Sequence, residues 1–195
     1  MSDELRRSSK TQPPPPADSI RIKLLSMGEG GVGKSCLIKR YCEEKFVPKY
    51  ISTIGVDYGV KKVTVDGRLV KVNFWDLAGH PEFFEVRNEF YKDTQGAILV
   101  FDITSKRSFE ALEMWHKEFT RYSGGKKSVV FVVGNKTDLG GKSRVINESE
   151  AKAWAVSHGF KYYETSAANG DGVKDMFNAL FGEVLTASES TRRKL

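Results

Sequence analysis

The chain has 195 residues, 39% of them hydrophobic and 29% charged, with a formal net charge of +6 and two cysteines. That length suits one domain with tails, able to bury a core without disulfide or metal staples. No apolar stretch is long enough to span a bilayer, and Cys36 and Cys42 fall on one predicted helix where they do not face each other, which excludes a disulfide scaffold.

Residues 1–18 read as a flexible arm. Its first ten residues lack the apolar core of a secretory signal, and with the unpaired thiols this fits the cytoplasm or nucleus. A patch at Arg6-Arg7-Ser8-Ser9-Lys10 precedes Pro13 to Pro16, and four prolines in a row favour extended polyproline II. Lys10 to Pro16 also fits an SH3-type ligand, and Ser9 a basophilic kinase site, although a solvated spacer accounts for the same residues.

Ile20 to Met27 then reads as a buried strand and Lys34 to Glu44 as a helix. Val56 to Val65 and Arg68 to Asp76 alternate as strands, with Asp66-Gly67 between them as a hairpin signal. Gly96 to Asp102 is a continuous apolar run, as in a central parallel strand, and Phe109 to Tyr122 follows as a helix. Ser128 to Gly134 is a further buried strand. Glu148 to His158 is helical, with Asn147 or Ser149 available as its cap. Phe160 to Thr165 and Val173 to Leu185 complete the pattern as strand and helix, and the polar residues from Ala187 to Leu195 read as a frayed tail. The expected organisation is a domain over 19–186 between tails at 1–18 and 187–195. The expected class is α/β, a mostly parallel six-stranded sheet with helices on both faces and one antiparallel hairpin strand. Ligands of such sheets bind at the carboxyl ends of the strands, and the polar motifs fall there.

Gly28-Glu29-Gly30-Gly31-Val32-Gly33-Lys34-Ser35 is a complete G-x-x-x-x-G-K-S/T motif between a predicted strand and a predicted helix. Glycines let the backbone wrap closely so that its N–H groups point at phosphate oxygens, and the helix adds its positive dipole end near Lys34, Ser35 and Cys36. Lys34 is placed for the β- and γ-phosphates, and Ser35 for Mg²⁺. Asp76 ends a strand and opens Asp76-Leu77-Ala78-Gly79, where a carboxylate suits a magnesium-bound water and the Gly79 N–H suits the γ-phosphate. Thr53 is a candidate second hydroxyl ligand; taken alone it is equally a loop threonine. At the other end, Asn135-Lys136-Thr137-Asp138 follows a strand. The Asp138 carboxylate can accept from the N1 and exocyclic amine of guanine, a donor pair adenine lacks. The Lys136 stem can lie over one ring face, Phe46 can cover the base from the other side, and after Ser166 the Ala167 N–H can meet guanine O6.

In this order, GEGGVGKS, Thr53, WDLAG, NKTD and ETSA resemble the Ras-like small GTPases from Ile20 to Leu185, and Thr53 to Asp57 with Trp75-Asp76 resemble the Rab branch. Asp76 to Pro81, Phe84 to Asp93 and Tyr58-Gly59-Val60 are similar to the RJL (RBJ) group of Rab-related GTPases, some of which carry a J domain. The tripeptide HPD of J domains is absent, so none is expected in these residues. The resemblance implies a P-loop NTPase (Ras-like G) domain that binds GTP or GDP with Mg²⁺, hydrolyses GTP slowly and works as a monomer. It also implies two switch segments, Phe46–Gly55 and Ala78–Asp93, that meet effectors, exchange factors and activating proteins. Tyr58, Trp75 and Phe90 stand where Rab proteins display aromatics to effectors, and each is equally a core candidate.

Two positions depart from the family pattern. His80 stands where relatives carry the Gln that orients the attacking water, accepting at one end and donating at the other. A neutral imidazole does one of these per nitrogen, and Pro81 stiffens the loop behind it, so slower unaided hydrolysis is expected; the competing reading makes His80 a general base. Lys34, Gly79 and His80 are thus the expected catalytic set. The chain also has no cysteine after Cys42 and Ser at position 2, so no lipid anchor is expected, and its few terminal basic residues give weak, salt-sensitive membrane attraction. The positive charge is accounted for by a polyanionic nucleotide; no RNA motif or helix-turn-helix accompanies it, and no nucleic-acid partner is expected. His116 and His158 read as surface or capping residues. The leading function is a GTP/GDP switch; the alternatives are a nucleotide-stabilised scaffold with little hydrolysis, favoured by His80, and a P-loop kinase or ATPase, disfavoured by NKTD.

Overall fold

A computed structural model describes residues 20–125 and 127–192. The arm at 1–18, with its SH3-type motif and Ser9, lies outside the described residues, as do positions 193–195. Six strands form one sheet in the order β2-β3-β1-β4-β5-β6, where β1 is Ile20–Met27, β2 Val56–Val65, β3 Arg68–Leu77, β4 Gly96–Asp102, β5 Val129–Asn135 and β6 Lys161–Thr165. All neighbours are parallel except β2 and β3, which pair antiparallel from Val56 opposite Leu77 to Val65 opposite Arg68. The two-residue turn Asp66-Gly67 has positive φ at both positions, 48° and 74°, which suits the twist of the strands it joins. Because β1 has β3 on one side and β4 on the other, the chain parts at the carboxyl end of β1 and leaves a crevice there.

Strict alternation in β3 separates two cores. Val70, Val72 and Phe74 face one side, where Leu37 and Tyr41 of α1 (Lys34–Glu43) and Phe177 and Phe181 of α7 (Val173–Arg192) cover them. The Tyr41 ring lies 4.7 Å from Phe177, and Phe177 stands edge-on to Phe74 at 5.7 Å. On the other side Leu25, Met27, Leu99 and Phe101 meet Leu112, Trp115 and Phe119 of α4 (Leu112–Tyr122) and Ala151 and Ala155 of α6 (Glu148–Ser157). The small alanines let α6 approach the sheet closely. Asn147 occupies the position before α6, though its side chain makes no capping bond.

Three elements differ from the sequence expectation. Before α4 a short helix α3, Lys106–Glu110, is capped by the Ser105 hydroxyl, which accepts from the Ser108 N–H at 3.3 Å, so the helical run begins before Phe109 and breaks at Ala111. Its polar start hides it from apolar periodicity. The second is a turn of 3₁₀ helix at Pro81–Phe83 running into α2, Phe84–Asn88, inside the expected switch segment; both are too short to show a helical repeat. Similarly brief turns at Thr137–Leu139 and α5, Gly140–Ser143, follow β5. Finally, α7 continues to Arg192 where a frayed tail was expected after Leu185. Ser188 donates back to the Val184 carbonyl at 2.8 Å, and Glu189 pairs with Arg68 of β3 beside the hairpin, so polar contacts extend the helix past its apolar face.

The end of α1 is tied to β2 by a lysine. The Lys61 ammonium donates to the Tyr41 and Cys42 carbonyls at 2.6 and 3.2 Å and lies 4.6 Å from the centre of the Tyr41 ring. A cation at the carbonyl end of a helix also meets the favourable end of its dipole. Replacing Lys61 with Met is expected to lower unfolding stability by about 1–2 kcal/mol, the range for a hydrogen bond to a charged group less its solvent compensation. Urea unfolding with an unchanged slope measures it; an unshifted midpoint would show that water replaces the lysine without loss.

Candidate functional site

The carboxyl end of β1 turns sharply at Gly28, whose φ is 140°; a side chain there would put its Cβ 2.2 Å from the Val100 carbonyl oxygen of β4. The loop then runs to Gly33, at φ 99°, where a Cβ would meet the Asn135 amide nitrogen at 2.3 Å. Gly79, after β3, would collide with the Gly30 nitrogen at 2.3 Å if it carried a side chain. Two of these approaches are backbone on backbone and the third is backbone on the Asn135 side chain, and glycine is required at each crossing.

Lys34, at the start of α1, is buried, and its ammonium donates to the Gly28 and Glu29 carbonyls at 2.7 and 2.8 Å. Burial lowers its pKa to about 8, against the opposing pull of the Asp76 and Glu29 carboxylates. Beside it three oxygens converge. Ser35 donates to Asp76 Oδ2, the Ser35 and Thr53 hydroxyls are 3.0 Å apart, and Thr53 reaches the same carboxylate oxygen at 3.4 Å. Asp76 Oδ1 accepts from Ser26 of β1 at 2.6 Å, which fixes the carboxylate from behind. Two hydroxyls and one carboxylate are hard oxygen donors, the set magnesium prefers beside a substrate phosphate. Among the described residues there is no cluster of three or more His, Cys, Asp or Glu side chains that could hold a metal.

A cleft of about 380 Å³ runs from this point to the turn after β5. Gly30, Gly31, Gly33, Lys34, Ser35, Cys36, Thr53, Gly79 and His80 line one end of it, and Phe46, Asn135, Lys136, Asp138 and Ala167 the other. The remaining expected site residues stand behind it. Glu29 contributes its carbonyl to Lys34 and turns its carboxylate to Arg107 at 3.5 Å. Val32 is in the core, and its carbonyl accepts from the Asn135 amide at 2.8 Å. Ser166 donates to Asp138 Oδ1 at 2.6 Å and so orients that carboxylate.

Two residues at this end also hold the loops together. Asn135 borders the cleft, but both ends of its amide are used internally, since its oxygen accepts from the Thr165 hydroxyl and the Ala167 N–H, each at 3.2 Å. It is a knot between the phosphate loop and the two base loops. For the same reason the Ala167 N–H is already engaged, and a guanine O6 would have to share it; the adjacent Ala168 also lines the cleft. Lys136 takes positive φ, 71°, and its ammonium pairs with Asp102 at 2.7 Å, which lays its stem along the cleft.

Several contributors were not visible in the sequence. Arg40 donates to the Ala167 and Ala168 carbonyls and so holds the loop after β6 against α1. Tyr50 reaches across the phosphate end, its hydroxyl 3.4 Å from His80 Nε2, while a Cβ on Gly30 would lie 3.0 Å from that same nitrogen. His116 and His158 lie far along the chain from these residues. His158 stacks on Trp154 at 4.0 Å and meets Glu113 at 3.1 Å, a half-buried packing role at the end of α6.

Comparison with known proteins agrees with this geometry. The sequence model described as "Ras family" matches residues 23–186. A mouse protein named DnaJ homolog subfamily C member 27 is 54% identical over 179 residues, 90% of this chain and 65% of its own length. The zebrafish protein of that name is 52% identical over 176 residues, 88% of this chain and 64% of that protein. Xenopus laevis DnaJ homolog subfamily C member 27-B is 48% identical over 192 residues, 95% and 67% of the two chains. The chain therefore spans about two thirds of the length of these relatives. No helix among the described residues is long and apolar enough to cross a membrane. With a phosphate loop closed over a buried lysine at one end and an oriented aspartate at the other, and with a family match across nearly all of the described domain, this chain belongs to the Ras family, the small nucleotide-binding GTPases.

Proposed function

We propose that the chain is a Rab-related GTP/GDP switch that hydrolyses GTP slowly. The observation that carries this reading is the convergence of Lys34, Ser35, Thr53 and Asp76 at one end of a cleft whose other end presents Asp138. The triphosphate lies along the N–H groups from Gly30 to Cys36, with Lys34 leaving the Gly28 and Glu29 carbonyls for phosphate oxygens. Ser35, Thr53 and Asp76 would hold magnesium, which when bound would supply charge neutralisation at the phosphates. Asp138, fixed by Ser166, accepts from the guanine N1 and amine. Thr53 belongs to Phe46–Gly55 and Gly79 to Ala78–Asp93, so loss of the γ-phosphate frees both segments and changes the surface offered to effectors. Part of that surface is an aromatic run: the Trp75 ring lies tilted against Tyr58 at 4.5 Å and against Phe90 at 5.0 Å. Tyr58 is half exposed and suits a binding hot spot. The relatives' name, DnaJ homolog, agrees with the RJL resemblance, and a signalling or trafficking role within the cytoplasm or nucleus follows from that resemblance.

In hydrolysis, water is the nucleophile, and the chain stabilises charge with Lys34 and backbone N–H groups while His80 orients the water. A second reading, a nucleotide-stabilised scaffold with little turnover, is favoured by the Tyr50 hydroxyl 3.4 Å from His80 Nε2, which competes with water for that nitrogen.

Identification of the guanine nucleotide retained on the purified chain in magnesium tests the reading directly; a chain that neither retains nor loads GDP or GTP sinks it. Mostly GDP supports the switch, and mostly GTP the scaffold. Asp138→Ala removes two hydrogen bonds to a charged acceptor and is expected to weaken GDP binding by about a hundredfold or more, read by competition titration. His80→Gln supplies one acceptor and one donor on a flexible amide that can orient water, and single-turnover hydrolysis is expected to rise about tenfold, equivalent to about 1.4 kcal/mol off the barrier. A rate at or below wild type would show that His80 is not what slows the reaction.

Affinity also depends on pH through Lys34. The free chain holds it with a pKa of about 8, and bound phosphate raises that value. Binding therefore takes up a proton above pH 8, so affinity is complete below pH 8 and declines above it by up to about tenfold per unit. Calorimetric GDP titrations in buffers of differing ionisation heat read the proton uptake, and a flat profile across that range removes Lys34 from the phosphate contacts.

A further inference from the structure

Arg87 has no catalytic or binding assignment so far, yet it is among the most constrained charged groups in the molecule. It sits in α2 with its side chain 3% exposed. Its Nε and Nη2 donate to the two oxygens of Glu118 on α4 at 2.7 and 2.9 Å, a bidentate pair in which Glu118 is 8% exposed. Tyr91 donates to the same carboxylate at 2.5 Å. The guanidinium lies 4.4 Å from the centre of the Trp115 ring and 5.5 Å from that of Phe84. The remaining edge of the fork points back along the chain. Nη1 donates to the His80 carbonyl at 2.9 Å and reaches the Ala78 carbonyl at 3.5 Å.

The far partner is rigid. Glu118 stands on α4 among Trp115 and Phe119, which are in the core under the central strands. The near partner is the residue whose ring rests on the phosphate loop, with Nε2 3.0 Å from where a Gly30 side chain would begin. His80 has extended backbone, φ −79° and ψ 140°, the region to which Pro81 restricts the residue before it. With its carbonyl fixed, only two side-chain torsions remain to place the imidazole. The geometry points to Arg87 as a positioning residue for GTP hydrolysis, holding the backbone of His80 against α4 so that its ring stands over the phosphate loop. This rests on the role given to His80 above.

A purely structural Arg87 would fasten α2 and nothing more, so the test needs readouts that stability alone does not move. The variants are R87M/E118Q, which removes the latch without leaving a lone buried charge, R87K, H80A, and each latch variant combined with H80A. On the full chain loaded with GTP, single-turnover hydrolysis, nucleotide dissociation and thermal midpoint are measured together. R87M/E118Q is expected to slow hydrolysis about tenfold, the scale of a misplaced catalytic group, while nucleotide affinity changes by less than about twofold. R87K, which cannot serve both Glu118 oxygens and the His80 carbonyl, falls between that variant and wild type. In the H80A background neither latch change slows the reaction further, although the fall in thermal midpoint remains. Equal slowing with and without His80, or a lower midpoint with an unchanged rate, overturns the proposal while leaving the role of His80 intact. If H80A itself hydrolyses at the wild-type rate, the reading of His80 fails and the proposal fails with it. Should R87M/E118Q not fold, R87K and its combination with H80A decide the matter by the same comparison.

Discussion

The site depends on close approach of neighbouring segments to glycine backbone at one edge of the sheet. Gly28 lies against the Val100 carbonyl, Gly79 against the Gly30 nitrogen and Gly33 against the Asn135 amide, each at a distance no Cβ could share. These contacts bring the ends of β1, β3, β4 and β5 to one place. They also couple the residues after β3 to the Gly28–Ser35 loop: with Gly79 resting on Gly30, a ligand engaging one would meet the other. A displaced loop there would separate Asp76 from Ser35 and His80 from Gly30 in the same movement.

Electrostatics make that edge receptive to an anion. The Lys34 ammonium is buried with only carbonyl oxygens as direct partners, and burial outweighs the attraction of Asp76 and Glu29 on its pKa. Such a group is stabilised more by a bound phosphate than by the protein around it. The Ser35 and Thr53 hydroxyls share a carboxylate that would serve a divalent cation better. The base end is different in kind, because its polar groups are satisfied among themselves: Asn135 ties Val32, Thr165 and Ala167 together, and Ser166 holds Asp138. One end of the cleft holds a buried cation and a shared carboxylate, whereas the polar groups of the other are tied to one another.

Much of this was legible in the sequence because its signals are local. The strands of the sheet are continuous or strictly alternating apolar runs, and Asp66-Gly67 fixes a two-residue turn. The phosphate loop is a contiguous motif, so Gly28 to Ser35 could be read without the fold. What escaped reading was either too short to show a period, as with Phe84–Asn88, or polar and stabilised from elsewhere, as with the end of α7 through Glu189 and Arg68. Asn135 was legible as a site residue, but its bonds to Val32, Thr165 and Ala167 were not, because nothing in the string NKTD tells which loops its amide ties together. Arg87 and Glu118 lie 31 residues apart with no motif to connect them. Only the packing of α2 on α4 brings them together.

These constraints meet at His80. Its ring is bounded by Gly30 below and Tyr50 beside it, and its carbonyl is held by Arg87, so three segments of the chain define its place. A flexible glutamine amide would find a water by rotating; a ring held this way finds it only if the surrounding segments are correctly set. Under the proposed role of His80, control of the chemistry would pass from a side-chain torsion to the positions of the two proposed switch segments. A partner that moves Tyr50 or α2 would alter the environment of His80 without touching the nucleotide.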